Sequence, residues 1–143
     1  MLIPKKTKYK YAHRVKYTGK AKGNKVLTWG DYGLQALEGN WITNNQIEAT
    51  RKVISKYIKK FGKMHINIFP HIPKSKKPLE VRMGSGKGSI DSWVAVVKVG
   101  TIMFELVGVP RDIAISSLKA ASYKLPIKCK VVIRDSIEKS ELE

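Results

Sequence analysis

The sequence predicts an α+β fold with a mixed, mainly antiparallel sheet, two main helices and a basic extended N-terminal arm. Three observations carry this. Thr43 with Gln46 three residues on forms a capping-box pattern ahead of apolar residues at helical spacing. The runs WVAVVKV and TIMFELV flank Gly100 as two apolar strands. Pro110 suits the first turn of a second helix, and PIKCKVVIR follows it as a strand.

Taken in order, residues 1–25 lack helical or strand periodicity, contain Gly19 and Gly23, and read as a basic arm that orders on a partner. A short strand is expected at residues 26–29, then tight turns through WGDYGLQALEGNWIT, suggested by its glycines. The first helix should run from the Thr43 cap to Phe61 and stop at Gly62. Its wheel puts Ile47, Ile54, Tyr57, Ile58 and Phe61 on one face. Lys52, Lys56, Lys59 and Lys60 fall on the other, continued by Lys63.

MHINIF (64–69) alternates as a strand, while PHIPKSKKP (70–78) is too proline-rich for helix or central sheet and should cross a surface in extended form. A projecting loop at 78–90 holds Arg82, Gly84, Gly86, Lys87 and Gly88. The runs around Gly100 read as a buried hairpin, and the second helix should turn Ile113, Leu118 and Ala121 inward. Cys129 alternates with Ile127, Val131 and Ile133 and reads as a core residue. The organisation is an arm (1–25), one globular domain (26–134) and an acidic mobile tail (135–143).

At 143 residues one core is expected. The 28 basic and 11 acidic residues give a net charge of +17, which calls for a polyanionic partner, a nucleic acid or an anionic membrane. The charge is concentrated: nine cations from Lys5 to Lys25 precede the first acid, Asp31, and residues 51–87 carry many more beside the single acid Glu80. The lysine row of the first helix has no acid after Glu48 to pair with, which favours a polyanion contact over a merely solvated face. No run reaches the roughly 18 apolar residues of a membrane span, and the lysine-rich start lacks the apolar stretch of a signal peptide. A single cysteine excludes an internal disulfide and fits a reducing compartment.

EVRMGSGKGS (80–89) looks like a phosphate loop but lacks its parts: Val81 stands where the first glycine belongs, and Gly88 where a Ser or Thr would bind magnesium. His13, His65 and His71 are scattered, and no carboxylate pair or nucleophile with a base emerges, so neither an enzyme nor a cofactor or metal site is expected. His65 falls on the polar side of its strand, as a surface residue or an RNA contact. A nucleotide-dependent enzyme using GSGKGS and a DNA-compacting protein remain as rivals, since charge alone does not separate RNA from DNA.

Several motifs agree on a family. MLIPKKTKYKYAHR, Gly19-Lys20-Ala21-Lys22-Gly23, the run Gly30, Gly33, Leu34, Ala36, Gly39, then ITNNQIEATR, PLEVRMGSGKG, GVP and KLPIK resemble the bacterial-type L-sixteen protein of the large ribosomal subunit, related to the archaeal and eukaryotic L-ten-e proteins, over about residues 1–133. The resemblance implies a two-layer α/β-hammerhead sandwich with a long arm into ribosomal RNA. It further implies contact with aminoacyl-site tRNA near the peptidyl transferase centre, a role late in subunit assembly, and neighbouring large-subunit proteins as partners, without membrane or small-molecule substrate.

On that basis Lys5, Lys6, Lys8, Lys10, Arg14, Lys16, Lys20, Lys22, Lys25, Arg51, Lys52, Lys56, Lys59, Lys60 and Lys63 are expected on rRNA. Lys74, Lys76, Lys77, Arg82, Met83, Gly84, Ser85, Gly86, Lys87 and Gly88 are expected on the loop toward tRNA and rRNA. Many relatives carry a basic residue where Ser85 stands, which bears on one ionic contact of the loop, and the acidic end after Arg134 is longer than the family's. A match beginning at Met1 implies no transit peptide, which points to a bacterial cytoplasm or a plastid-encoded copy.

Overall fold

The computed structural model describes residues 3–8, 15–23, 25–84 and 86–134; Lys10, Arg14, Ser85 and the acidic tail, on which expectations fell, lie outside the described residues. Along the chain run β1 (Tyr32–Ala36), β2 (Asn40–Thr43), α1 (Asn44–Ile58), β3 (Lys63–Ile66), β4 (Ile72–Ser75), β5 (Ile90–Val97), β6 (Ile102–Val107), α2 (Arg111–Ser122) and β7 (Cys129–Ile133). The strands form two antiparallel sheets, ordered β3-β6-β1-β7 and β2-β5-β4. Among the described residues, parallel pairing is limited to the isolated bridge Lys20–Val99. The two helices pack on each other, α2 also on β1 and β7, and α1 on β2 and β5. Leu34, Ile47, Ile54, Phe104, Leu106 and Leu118 are fully buried where these layers meet.

The capping box at Thr43 is complete: its hydroxyl accepts the Gln46 N–H at 3.3 Å, and the Gln46 side-chain oxygen accepts the Thr43 N–H at 3.0 Å. The helix ends at Ile58, three residues before the expected Phe61, with Lys59 at φ 46°. The reason lies outside the helix. Lys63 pairs with Val107 on β6, so the chain must reverse within a few residues of Ile58. Tyr57 and Phe61, expected in the core, are therefore exposed, while Ile47, Ile54 and Ile58 are buried.

Residues 26–29 form no strand, and the segment expected to be turns contains β1, a central strand of its sheet. Gly33 explains the reversal. A side chain there would collide with Leu27, which crosses the sheet at that point, and would crowd the Phe104 carbonyl at 3.1 Å. The glycine permits a close approach inside a strand rather than a turn.

The runs around Gly100 are strands but not a hairpin. β5 pairs with β2 and β4, whereas β6 pairs with β1 and β3. Between them Gly100 donates its N–H to the Ala36 carbonyl and Ala36 donates to the Thr101 carbonyl, both at 2.9 Å, so the connection is tied to the end of β1 and passes from one sheet to the other. Residues 64–69 are strand only to Ile66; Asn67 still donates its N–H to the Met103 carbonyl of β6 at 2.9 Å, and beyond it the chain departs from β6. Within 70–78, residues 72–75 become an edge strand, the place where a sheet tolerates Pro73. Pro110 stands at the N-cap of α2, and Leu118 and Ala121 point inward as expected, with Ile113 half-buried.

Candidate nucleic-acid interface

The helical face opposite Ile47, Ile54 and Ile58 carries Lys52 and Lys56, and the turn that follows adds Lys59, Lys60 and Lys63; all five are exposed. Like charges at this density repel one another in the free protein, so the row favours an anionic partner that spans it. Arg51 behaves differently. It binds Glu48, three residues back, and this hydrogen-bonded guanidinium holds the Glu48 carboxyl below its usual range. Arg51 is thus locally compensated in a way the lysines are not.

Lys5, Lys6, Lys8, Lys16, Lys20, Lys22 and Lys25 are also exposed. Residues 15–23 lie against the second sheet rather than away from it: Ala21 is buried and donates its N–H to Val99 at 2.9 Å, and the Trp41 indole N–H donates to the Val15 carbonyl at 2.8 Å. Tyr17 meets Trp41 edge-on with centroids 5.6 Å apart. Lys74 Nζ stands 6.0 Å from the Trp41 ring, which brings it to the arm rather than to the loop it was grouped with. A cavity of about 570 Å³ opens beside this seam, lined in part by Lys22, Phe69, His71 and Lys98.

The glycine loop projects between β4 and β5. Arg82, Met83 and Lys87 are exposed, Met83 completely so, as are Leu79 and Val81 beside them. Lys76 is exposed at its base, while Lys77 folds back and donates to the Gly84 carbonyl, so that lysine braces the loop from within. Gly84 and Gly86 take φ of 108° and 87°, and Gly88 lies so close to the opposite strand that a Cβ would stand 2.8 Å from the Lys76 carbonyl. The loop is followed by a strand, so no helix N-terminus stands behind it to hold a triphosphate. That geometry removes the nucleotide reading on grounds independent of the missing Ser or Thr.

One arrangement was not legible in the sequence. Residues 27–29 cross the outer face of the four-stranded sheet, with the fully buried Glu105 carboxylate accepting the Trp29 N–H at 2.9 Å. The Trp29 ring then lies over His65 on β3, with centroids 4.9 Å apart and planes inclined by 36°. The paired registers of His65, Glu105 and Gly33 on three adjacent strands create this seat. An alternating glutamate in an apolar run was the available signal.

Residues 4–132 match the family described as Ribosomal protein L16p/L10e. The chain belongs to that family. It is 58% identical to the large ribosomal subunit protein uL16 of Spiroplasma kunkelii over 132 residues, covering 92% of this chain and 96% of the relative. Against uL16 of Macrococcus caseolyticus it is 55% identical over 137 residues, 96% and 95% of the two chains. Against uL16 of Acholeplasma laidlawii it is 59% identical over 134 residues, 94% and 97%.

The L16p/L10e family is a structural component of the ribosome and not a family of enzymes, which removes the rival enzyme reading. Among the described residues no three His, Cys, Asp or Glu side chains converge as metal ligands would, and no helix is long and apolar enough to cross a membrane. Cys129 is half-buried, and loss of solvent pushes its thiol up to about 11, as suits a packed rather than a reactive cysteine.

Proposed function

We propose that this protein is a structural constituent of the large subunit of a bacterial cytoplasmic ribosome, where it binds large-subunit rRNA, neighbours other large-subunit proteins, supports aminoacyl-site tRNA near the peptidyl transferase centre and acts late in assembly. The arm lysines and the row from Lys52 to Lys63 meet rRNA, and the loop from Arg82 to Gly88 approaches tRNA. The hammerhead description and the entry of the arm into RNA belong to the same reading; the two antiparallel sheets and the packed helix pair are compatible with it.

The observation that carries the RNA contact is the exposed lysine row, which after Glu48 has no acid on its helix to compensate it. On the loop, Arg82 suits a bidentate phosphate contact and Lys87 a point-charge one. The test is to tag the protein in its own cells and follow it through sucrose gradients at low and high salt. Retention in large subunits and translating ribosomes after the high-salt wash supports specific embedding, because loose electrostatic attachment falls steeply with salt. Migration at the top of both gradients defeats the reading. Changing Arg82 and Lys87 together to alanine should impair tRNA binding more than subunit assembly, and equal loss of both would refute that division of roles.

A further inference from the structure

We propose that the open face of the Trp29 indole is a stacking seat for an unpaired RNA base, on the outer face of the β3-β6-β1-β7 sheet, apart from the glycine loop and beside Lys63 at the end of the lysine row. The proposal rests on the RNA-binding reading above and names a contact of a different kind within it.

Three features point to this occupant. The first is exposure against rigidity. Trp29 is 63% exposed, yet its backbone is held on both sides: its N–H goes to the buried Glu105, and the carbonyl of the next residue, Gly30, accepts the Arg134 guanidinium at 2.8 and 3.2 Å. Asp31 then donates its N–H to Leu106 at 2.9 Å, docking the segment on β6. An aromatic side chain held outward on a fixed backbone loses little freedom on binding, which is what a stacking platform requires.

The second is the His65 ring at 4.9 Å, which supports the indole from below and leaves the rest of it to solvent. The third is charge. Lys63 lies two residues from His65 on the exposed side of β3. Of the acids beside the seat, Asp31 faces Arg134 at 3.7 Å, and Glu105 is buried beneath the Trp29 segment with its oxygens turned to the Thr28 and Trp29 N–H groups rather than to the open ring face. An aromatic face with a lysine beside it fits a nucleotide, whose base stacks while its phosphate meets the ammonium group. A fully paired duplex offers no free base face, so the occupant is single-stranded or bulged RNA.

The experiment uses the full chain with a short single-stranded RNA of mixed sequence and the same strand made abasic, titrated at several salt concentrations. The expected result is about tenfold tighter binding of the base-bearing strand by the wild type, most of which W29A loses and W29F keeps, with the salt slope unchanged. Indole fluorescence should be quenched by the base-bearing strand and not by the abasic one, and W29F should lack that quenching, a read-out that stands even if W29A melts lower than the wild type. Equal binding of both strands by the wild type, or undiminished discrimination by W29A, overturns the proposal while steep salt dependence leaves the RNA-binding reading intact. Failure to bind either strand overturns both.

Discussion

Glu105 Oε1 accepts the backbone N–H of Thr28 at 2.8 Å, joining residues 77 positions apart from a carboxylate with no exposed surface. An ionisable group in the middle of an apolar strand is thereby satisfied by backbone rather than by a cation, and the segment leading into β1 is fastened to β6 before the sheet begins.

Removing that carboxylate should release the segment. E105A is expected to cost about 3 kcal/mol, the scale of two charge-assisted hydrogen bonds partly replaced by water, since Thr28 and Trp29 can be resolvated at the surface. E105Q should fall between, keeping one acceptor but turning an NH2 donor toward the second N–H. Urea midpoints measure the loss, and hydrogen exchange should show the Thr28 and Trp29 amides losing protection first. Unchanged protection in E105A would contradict this account.

The helix cap is a local feature with a local cost. T43A should lower stability by about 1 kcal/mol, because the Gln46 N–H loses its acceptor, and Q46A by less. Thermal melts of the two variants decide the order.

Cys129 sets an upper pH limit. Its thiol ionises near 9.0 when exposed and at about 11 in the fold, so the folded state keeps a proton that the unfolded state releases between those values. The contribution is whole below pH 9 and lost as pH rises toward 11. C129A or C129S should flatten that part of the stability profile, and alkylation at pH 8 should be slow until the protein is unfolded.

The lysine row makes a quantitative statement about salt. Changing Lys52, Lys56, Lys60 and Lys63 to alanine should leave folding intact, as all four are exposed, and reduce the salt slope of rRNA binding by up to about 3 if each meets one phosphate. A slope equal to that of the wild type would mean that the row faces solvent.

The loop glycines differ in what they prevent. G84A meets no neighbour but must adopt φ 108°, a strain of about 1–2 kcal/mol, whereas G88A drives a methyl group into the Lys76 backbone and should part β4 from β5 at the base of the loop. Limited trypsin digestion at Arg82 and Lys87 should accelerate in G88A relative to the wild type; equal rates would show that the base tolerates the methyl.

By itself the sequence determined what adjacent residues can settle among themselves. The Thr43–Gln46 cap, the buried Ile47 and Ile54, the exposed lysines, the extended course of the proline-rich stretch and the packed Cys129 all follow from short-range spacing, and the family motifs run through the same stretches. Tertiary structure decided what depends on a distant partner. The end of α1 at Ile58 was set by the pairing of Lys63 with Val107, the strand at Gly33 by Leu27 crossing over it, and the split of β5 from β6 by Ala36 holding the turn at Gly100. Glu105 shows the reason most directly: a lone glutamate among apolar residues is unfavourable until two amides from another part of the chain close on it, and nothing within its own strand announces where those amides are.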